Sequence, residues 1–209
     1  MATVTAVCVV HAVSPGYHHD TAIDKRPRSG RVPVGRDGLE GDTQVDSGHG
    51  GRDAAVYVYA DEDAAHFAVE LGEVPAGHFG ENLRTTGLDV TGGRIGERWR
   101  IGDVLLEVRK PRTPCRNLEQ RVGREGFHLD FNATGRVGAL CRVLEPGTVA
   151  ADDALVVEWV PDHPVSIGVL VRGMDAEDAR CLLDSGVPLA PAVRAKARRV
   201  VTRAERGEA

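Results

Sequence analysis

The residue best placed to do chemistry is the cysteine of the segment Lys110-Pro-Arg-Thr-Pro-Cys-Arg-Asn117. Two prolines precede Cys115 and restrict the backbone to one extended shape, so the thiol is presented at a fixed position. Three basic side chains in the same segment favour the thiolate form. The segment also follows a predicted strand, and such exits commonly display functional residues. A thiolate is either a nucleophile or a metal ligand, and these residues alone leave both roles open.

The other three cysteines are predicted to be structural. Cys8 lies in an apolar strand, Cys141 in the run Ala-Leu-Cys-Arg-Val-Leu, and Cys181 beside two leucines of a predicted helix. Free cysteine is usually a small buried hydrophobe, so we expect all three in the core. The sequence has no CxxC pair, which excludes zinc-finger and thioredoxin-like spacing. The N-terminus lacks the basic region of an export signal, so we expect a reducing, cytoplasmic environment.

Polar candidates for a pocket are less distinctive. His49 stands between glycines, where a pocket ligand and a hydrogen-bonded turn histidine are equal alternatives. Asn82 is either a binding amide or a cap. The adjacent His18 and His19 would point to opposite faces of an extended chain, so a surface loop is favoured over a metal site.

Glycine recurs at every third position as Gly35, Gly38 and Gly41. Such a stretch adopts positive φ angles readily and can present backbone N–H groups to an anion. A nucleic-acid clamp of the KH type is not favoured, because the sequence lacks the flanking helices and the basic surface that it requires. The spacing therefore predicts a loop that binds an anionic ligand.

Composition sets the broad class of the protein. The chain of 209 residues is 42% hydrophobic and 27% charged, with a net charge of −5. These values are typical of a folded protein with a core and exclude general disorder. The acidic balance argues against a nucleic-acid partner. No apolar run reaches the roughly 18 residues of a membrane span, so no membrane association is expected.

The patterning predicts a mostly β domain over residues 1–160 and a three-helix C-terminal appendage over residues 161–209. Strands are predicted at 3–10, 55–59, 137–144 and 154–160, with a hairpin over 97–109 that turns at Gly102-Asp103. Residues 14–30 predict a loop, and a helix capped by Asp61 is predicted to end at Gly72. The appendage predicts helices from 165, over 175–184 and over 190–203.

Five segments, in this order, resemble MOSC domains, the domain found at the C-terminus of molybdenum-cofactor sulfurases. They are Gly38-Leu-Glu-Gly-Asp-Thr-Gln-Val-Asp46, His49-Gly-Gly-Arg-Asp-Ala-Ala-Val56, Phe79-Gly-Glu-Asn-Leu83, Arg94-Ile-Gly-Glu-Arg98 and Pro111-Arg-Thr-Pro-Cys115. The tail that begins at His163 resembles the helical extension of stand-alone bacterial members. The resemblance covers nearly the whole chain and implies a MOSC-type β-barrel with a few short helices, followed by that extension.

The resemblance also implies a function. MOSC proteins bind molybdenum-molybdopterin, and the motif cysteine, here Cys115, is the protein ligand of molybdenum. The bacterial branch reduces N-hydroxylated compounds such as hydroxylaminopurines, which are mutagenic base analogues, without pyridoxal phosphate. For contact with the anionic cofactor we predict Arg36, Arg112, Thr113, Gly50 and Gly51. As polar groups of the pocket beside the cysteine we predict His49, Asp53 and Asn82.

The implied partners are a small-molecule substrate and a separate electron-donating reductase, because the sequence has no flavin or iron–sulfur signature. A homodimer is left open. Two alternatives accompany the reductase hypothesis: a sulfur-transfer protein that carries a persulfide on Cys115, and a carrier that binds the cofactor without turnover. Fold alone does not decide between them.

Overall fold

A closed β-barrel forms most of the protein in this computed structural model, which describes residues 1–45 and 50–207. The strands are β1 (Ala2–Ser14), β2 (Thr21–Pro27), β3 (Val32–Gly35), β4 (Gly38–Leu39), β5 (Val56–Ala60), β6 (Leu83–Thr86), β7 (Arg98–Ile101), β8 (Val104–Pro111), β9 (Ala139–Glu145), β10 (Gly147–Val149) and β11 (Ala154–Trp159). The helices are α1 (Asp61–Leu71), α2 (Arg116–Val122), α3 (Phe127–Thr134), α4 (Ile167–Arg172), α5 (Ala176–Asp184) and α6 (Pro191–Glu205), with a 3₁₀ turn at Arg52–Ala54.

Seven strands close the barrel in the order β11-β7-β8-β9-β5-β6-β1, and β2 extends it as an additional strand on β1. Closure comes from the pairing of Ala2 with Leu155 and of Thr3 with Ala154. Neighbouring strands are antiparallel except β5 and β6, which are parallel and are connected through α1. A small sheet of β10, β3 and β4 lies beside the barrel. The predicted mostly β, barrel-type fold is confirmed.

The local signals explain most of the elements. The predicted hairpin is present, with β7 and β8 joined at Gly102, whose φ of 54° suits the turn. Helix α1 ends at Gly72, as predicted, because this residue has a φ of 76°. All strands precede residue 160 and α4 to α6 follow it, whereas the division of the chain into two domains at that point stays a prediction.

Two segments differ from the sequence-based expectation. Residues 14–30 were predicted as a loop, but the structure places β2 within them, paired with β1 through an irregular register. Its charged residues hide the strand pattern, and pairing with β1 rather than local propensity stabilises it. The segment after the predicted cysteine forms α2 and α3, for which the sequence analysis made no prediction. Gly123, Gly126 and Gly135, all with positive φ, bound these helices.

An aromatic cluster fixes α1 and α3 against the barrel. Phe67 and Phe131 have ring centroids 4.9 Å apart, Phe79 and Phe127 6.0 Å, and Tyr59 and Phe131 6.0 Å. Such contacts add to the stabilisation from burial alone. Few aromatic residues are present in the chain, and this cluster concentrates five of them behind the segment that follows Cys115. In the part of the chain that the structure describes, no helix is both long and apolar enough to cross a membrane.

Candidate functional site

Cys115 lies where the barrel strand β8 gives way to α2. Strand β8 ends at Pro111, and the extended segment that follows brings Cys115 to the N-cap of α2, with its carbonyl accepting from the Leu118 N–H at 2.9 Å. The thiol is partly exposed, unlike those of Cys8 and Cys141. Burial raises the pKa of Cys8 to about 12 and also raises that of Cys141, so both remain protonated thiols. The geometry agrees with the sequence in singling out Cys115.

Cys181 corrects one expectation, because its side chain is exposed rather than part of the core. The buried positions of α5 are Ala179 and Leu182, which lie three residues apart on one helix face. Cys181 follows Ala179 by two residues and therefore points away from that face.

Two cavities of about 440 Å³ each meet at the cysteine. They share Asp20, Cys115 and Asn117, so the Cys115 side chain contributes to both. We refer to them as the Arg112 cavity and the His128 cavity. The Arg112 cavity is lined by residues that include Lys25, Gln44, Tyr57, Lys110, Arg112 and Thr113. The His128 cavity is lined on its other sides by Tyr17, His18, His19, Arg116 and His128.

The Arg112 cavity is positively charged. Lys25, Lys110 and Arg112 line it, against the single carboxylate of Asp20. The Nη1 atom of Arg112 is buried and has no hydrogen-bond partner among the described residues. A buried, unsatisfied guanidinium donor is costly, so a ligand that accepts from it would relieve a penalty already present. The cavity is therefore suited to an anionic group.

Lys25 is a cavity residue that the sequence analysis missed, because it lies in the segment predicted as a loop. Its Nζ is 2.7 Å from Asp42 Oδ2, and both side chains are almost fully buried. Asp42 also accepts from the N–H of Val10 at 3.1 Å and from Nδ2 of Asn82 at 2.8 Å. The local signal that could have revealed Lys25 is an alternating strand pattern over 21–27, but the charged residues of this segment obscure that pattern. The pair fixes one ammonium group at the cavity wall.

Asn82 lines the cavity, as the sequence predicted, but its amide is already engaged. Oδ1 accepts from the N–H of Tyr57 at 3.0 Å, while Nδ2 donates to Asp42 and to the carbonyl of Cys8. These contacts use the acceptor and both donor positions of the side chain. Its geometry supports a role in holding Asp42 and the adjoining strands. Tyr57 likewise donates to the Val137 carbonyl at 2.8 Å, and burial raises the pKa of its phenol.

Asp53 does not line either cavity, and its assignment as a pocket group stays a prediction. Its Oδ1 accepts from Nε of Arg109 at 2.8 Å and lies 2.7 Å from Nη2 of Arg142. Arg109 is buried and is also paired with Glu107 at 2.7 Å. The Oδ1 atom of Asp53 therefore neutralises cations of the barrel.

The contact predicted between Arg36 and the cofactor likewise stays a prediction. Arg36 is exposed in the turn that joins β3 to β4, and it lines neither cavity. The glycine repeat that suggested an anion-binding loop instead builds this hairpin, in which Gly35 pairs with Gly38. Only Gly38 and Gly41 of the three glycines adopt positive φ. The repeat is explained by the hairpin and its following turn.

The remaining predicted residues lie in four different places. Thr113 and Arg112 line the cavity with Cys115. Gly50 and Gly51 do not line it, but they lie against Gln44, whose Oε1 accepts from the N–H of Gly51 at 3.1 Å. His49 lies outside the described residues. As predicted, His18 and His19 are exposed in a loop, yet that loop also forms one wall of the His128 cavity.

Comparison with known proteins places these features in a family context. A model of the MOSC domain family matches residues 46–156, just over half of the chain. Protein YiiM of Escherichia coli strain K12 is 37% identical over 153 residues, covering 69% of this chain and 67% of that protein. Protein YflK of Bacillus subtilis strain 168 is 37% identical over 133 residues, covering 63% of this chain and 60% of that protein. The match thus spans less than two thirds of YflK.

A protein of Gibberella moniliformis strain M3125 that is named a reductase is 35% identical over 140 residues, which are 65% of this chain but only 25% of that protein. Among solved structures, YiiM from Geobacillus stearothermophilus superimposes with a TM-score of 0.79 and 22% identity, over 96% of this chain and all of that one. At that identity the likeness shows the shared fold.

Proposed function

Because this chain belongs to the MOSC domain family, we propose that it binds a molybdenum cofactor and reduces N-hydroxylated compounds. MOSC domains are associated with binding of this cofactor, and a matching segment occurs within the fungal protein named a reductase. We assign the Cys115 thiolate as the protein ligand of molybdenum. The observation that carries the proposal is that Cys115 and Arg112 line one cavity, and that the buried Nη1 of Arg112 has no hydrogen-bond partner among the described residues.

The residues present fit such a group. A thiolate is a suitable ligand for molybdenum, a metal that also accepts oxo groups. The unpartnered Nη1 of Arg112 and the nearby ammonium of Lys110 would bind the anionic part of the cofactor, since charge-assisted hydrogen bonds to phosphate are strong. Lys25, whose charge is paired with Asp42, would add a further N–H donor at this wall. Thr113 offers a hydroxyl at the same wall.

When bound, the cofactor supplies a two-electron redox centre that can take up an oxygen atom from an N–OH group. The chain positions the reaction. Cys115 enters the cavities from the N-cap of α2, and the two prolines before it restrict its approach. The buried Asn82 and Asp42 hold Lys25, so that the charge opposite the cysteine has a fixed location. We further propose that electrons come from a separate reductase.

Turnover tests this function. Protein produced in a host that synthesises the cofactor should reduce a hydroxylaminopurine to the amine under anaerobic conditions, with a reduced viologen dye as electron donor. Arg112→Gln should lower cofactor affinity about 10-fold or more, because one charge-assisted hydrogen bond contributes about 1.5–3 kcal/mol. Arg36→Gln is the matched control and should behave as the wild type, since Arg36 is exposed in a turn.

Other outcomes would favour the alternatives. Molybdenum bound without any turnover, for each N-hydroxylated compound and reductant tried, would indicate a cofactor carrier. Metal-free protein with a reducible sulfur adduct on Cys115, detected by mass spectrometry of the intact chain, would indicate sulfur transfer. Either result would contradict the reductase proposal.

A further inference from the structure

The His128 cavity contains an ionisable pair that the cofactor proposal does not use. His128 lies in the first turn of α3 and lines this cavity together with Cys115. Its Nδ1 is 2.6 Å from Oε2 of Glu119, which lies in the first turn of α2. The helix that starts at the cysteine and the helix that follows it are therefore joined by one short polar contact beside the thiol.

The pair defines which nitrogen of the imidazole is free. Glu119 Oε2 also accepts from the N–H of Gly126 at 3.1 Å. An ionised carboxylate only accepts hydrogen bonds, so Nδ1 of His128 carries a proton and donates it to Glu119. Nε2 has no hydrogen-bond partner within residues 1–45 and 50–207. That nitrogen is free to donate a hydrogen bond to a ligand in the cavity.

The imidazole is also held at a defined position. Two other residues of α3, Phe127 and Phe131, are fully buried in the aromatic cluster described above and anchor the helix that carries His128. The Glu119 contact fixes the ring from the other side, and the His128 side chain is only 19% exposed. A group that is fixed by packing and by a second hydrogen bond is preorganised for proton transfer.

The opposite wall of the cavity is closed by the loop before β2. Its backbone is fixed to α2 because the N–H of Tyr17 donates to Asn117 Oδ1 at 2.7 Å. The guanidinium of Arg116 lies 4.5 Å from the centre of the Tyr17 ring. The other ionisable groups that face His128 across this space are His18, His19 and Asp20. His18 and His19 are exposed, and neither forms a hydrogen bond to a carboxylate among the described residues.

We propose that His128, oriented by Glu119, is the proton donor in reduction of the N–OH group. This inference rests on the proposed function and adds a catalytic residue to it. The substrate occupies the His128 cavity, while the cofactor occupies the Arg112 cavity, and Cys115 lies between them. The role differs from those of the two exposed histidines, which line the cavity without a fixed tautomer.

The step balances as follows. Reduction of R–NH–OH breaks the N–O bond and consumes two electrons and two protons, giving R–NH₂ and water. The two electrons come from the reduced cofactor of the proposed function. One proton moves from Nε2 of His128 to the departing oxygen, and the second comes from solvent. His128, left neutral with its Nδ1 proton still hydrogen-bonded to Glu119, regains its Nε2 proton from water before the next turnover.

Nuclear magnetic resonance of the protein without cofactor tests the geometry independently of turnover. With ¹⁵N-labelled histidine, the neutral ring of His128 should carry its proton on Nδ1, hydrogen-bonded to Glu119. Glu119→Ala, which removes the acceptor, should remove this preference. A neutral His128 that carries its proton on Nε2 in the wild type would overturn the assignment.

The pH dependence of the cofactor-loaded enzyme tests the catalytic role. Wild-type kcat should fall as the pH rises, because the step consumes the proton on Nε2 of His128. His128→Gln should lower kcat by about 10²- to 10⁴-fold at the acid end and abolish this dependence, with KM and molybdenum content close to those of the wild type. Glu119→Gln should shift the profile with a smaller loss. His11→Gln, at an exposed position of β1, should match the wild type.

The outcomes separate the two proposals. Loaded wild type that turns over, together with a loaded His128→Gln variant of unchanged kcat and pH profile, overturns the role of His128 and leaves the proposed function intact. If His128→Gln does not fold, the same reasoning applies to Glu119→Gln, whose profile must then differ from that of the wild type. Wild type that binds no molybdenum overturns both.

Discussion

Buried carboxylates in this protein stabilise the walls of the site without entering it. Asp42 holds Lys25, Glu81 accepts from the N–H groups of Gly77 and Phe79, and Asp53 neutralises two arginines. Each of these carboxylates satisfies buried donors that would otherwise be unpaired. The chemistry is left to side chains with unused positions, namely the Cys115 thiol, Nη1 of Arg112 and Nε2 of His128.

Asp53→Asn is predicted to lower the free energy of unfolding without reducing cofactor content per folded molecule. The change leaves Arg109, which is 2% exposed, without its charged partner on this side. Breaking such a pair costs about 3–5 kcal/mol when it is fully buried, and we expect roughly 2–4 kcal/mol because Asp53 is partly exposed. Urea unfolding and molybdenum analysis of the folded fraction measure the two quantities.

Asp37→Asn is the control for this substitution. Asp37 pairs with Arg52 at 3.3 Å, but both side chains are largely exposed, so the unfolding midpoint should not change. An Asp53→Asn variant that keeps wild-type stability and loses the cofactor would contradict the structural role and restore the pocket hypothesis.

Residues could be predicted from the sequence where the evidence is local. Prolines and basic neighbours are adjacent to Cys115 in the chain, so its role was visible without a structure. Lys25 and His128 were missed because their partners, Asp42 and Glu119, become significant only when the strands and helices are paired. Asp53 and Arg36 were predicted at the site, although they line neither cavity, for the same reason. Their types fit a cofactor pocket, but type and spacing do not show which cavity a side chain faces.

At the scale of elements, the connection from β8 to α2 is hydrogen-bonded to the residue that precedes β9. Gly138 precedes β9, and its carbonyl accepts from the N–H of Arg112 at 3.3 Å. A Cβ at Gly138 would lie 2.6 Å from the Val58 carbonyl oxygen and 2.6 Å from a ring carbon of Tyr57. The close approach of β5 therefore requires glycine here, in addition to the φ of 73°.

Gly138→Ala is predicted to be more destabilising than Gly186→Ala. Gly186 has a φ of 72°, nearly the same as Gly138, but a Cβ there would meet nothing within 4 Å. The backbone cost of about 1–2 kcal/mol applies to both, whereas steric crowding adds about 1–3 kcal/mol only at Gly138. Chemical denaturation of both variants gives the comparison. Equal losses of stability would show that packing against β5 does not restrict this position.

The elements themselves were predictable to different degrees. Helix α1, the β7–β8 hairpin and the last two helices carry caps, turns or periodicity that act within a few residues. Strand β2 has no such signal, because its partner β1 determines its conformation. Helices α2 and α3 do have glycine stops and a Phe127–Phe131 spacing, so their omission reflects short length rather than a missing signal.

Across the whole molecule, buried polar contacts join the barrel to the C-terminal helices. His163 Nε2 donates to the Ile95 carbonyl at 2.8 Å, and its Nδ1 accepts from the N–H of Val165 at 3.2 Å. Arg109 of the barrel donates to the Pro188 carbonyl, and Ala192 of α6 lines the Arg112 cavity. The helices thus contribute directly to the wall of the proposed cofactor site.

Stability is predicted to decrease as the pH falls below the ordinary histidine range. Burial lowers the pKa of His163, and burial and Arg121 lower that of His78. The unfolded chain therefore binds protons more readily than the folded one, and the free energy of unfolding falls as the pH drops below about 6.5. A full proton corresponds to about 1.4 kcal/mol per pH unit. Urea titrations between neutral and mildly acidic pH measure this slope.

His163→Gln should flatten the slope, because glutamine can still donate to Ile95 but does not titrate. Part of the slope should remain, since His78 contributes in the same direction. His11→Gln is the control and should leave the slope unchanged, because His11 is exposed. A slope that is the same in wild type and His163→Gln would contradict the role of His163 at this junction.

The central claim, that Cys115 anchors a molybdenum cofactor, is tested most directly by metal analysis. Protein purified from a host with active cofactor synthesis should contain about one molybdenum per chain, since one thiolate ligand defines one site. Cys115→Ser should contain almost none, and Cys181→Ser, which changes an exposed cysteine remote from both cavities, should match the wild type. Wild-type protein without molybdenum, or Cys115→Ser with a full complement of it, would contradict the account.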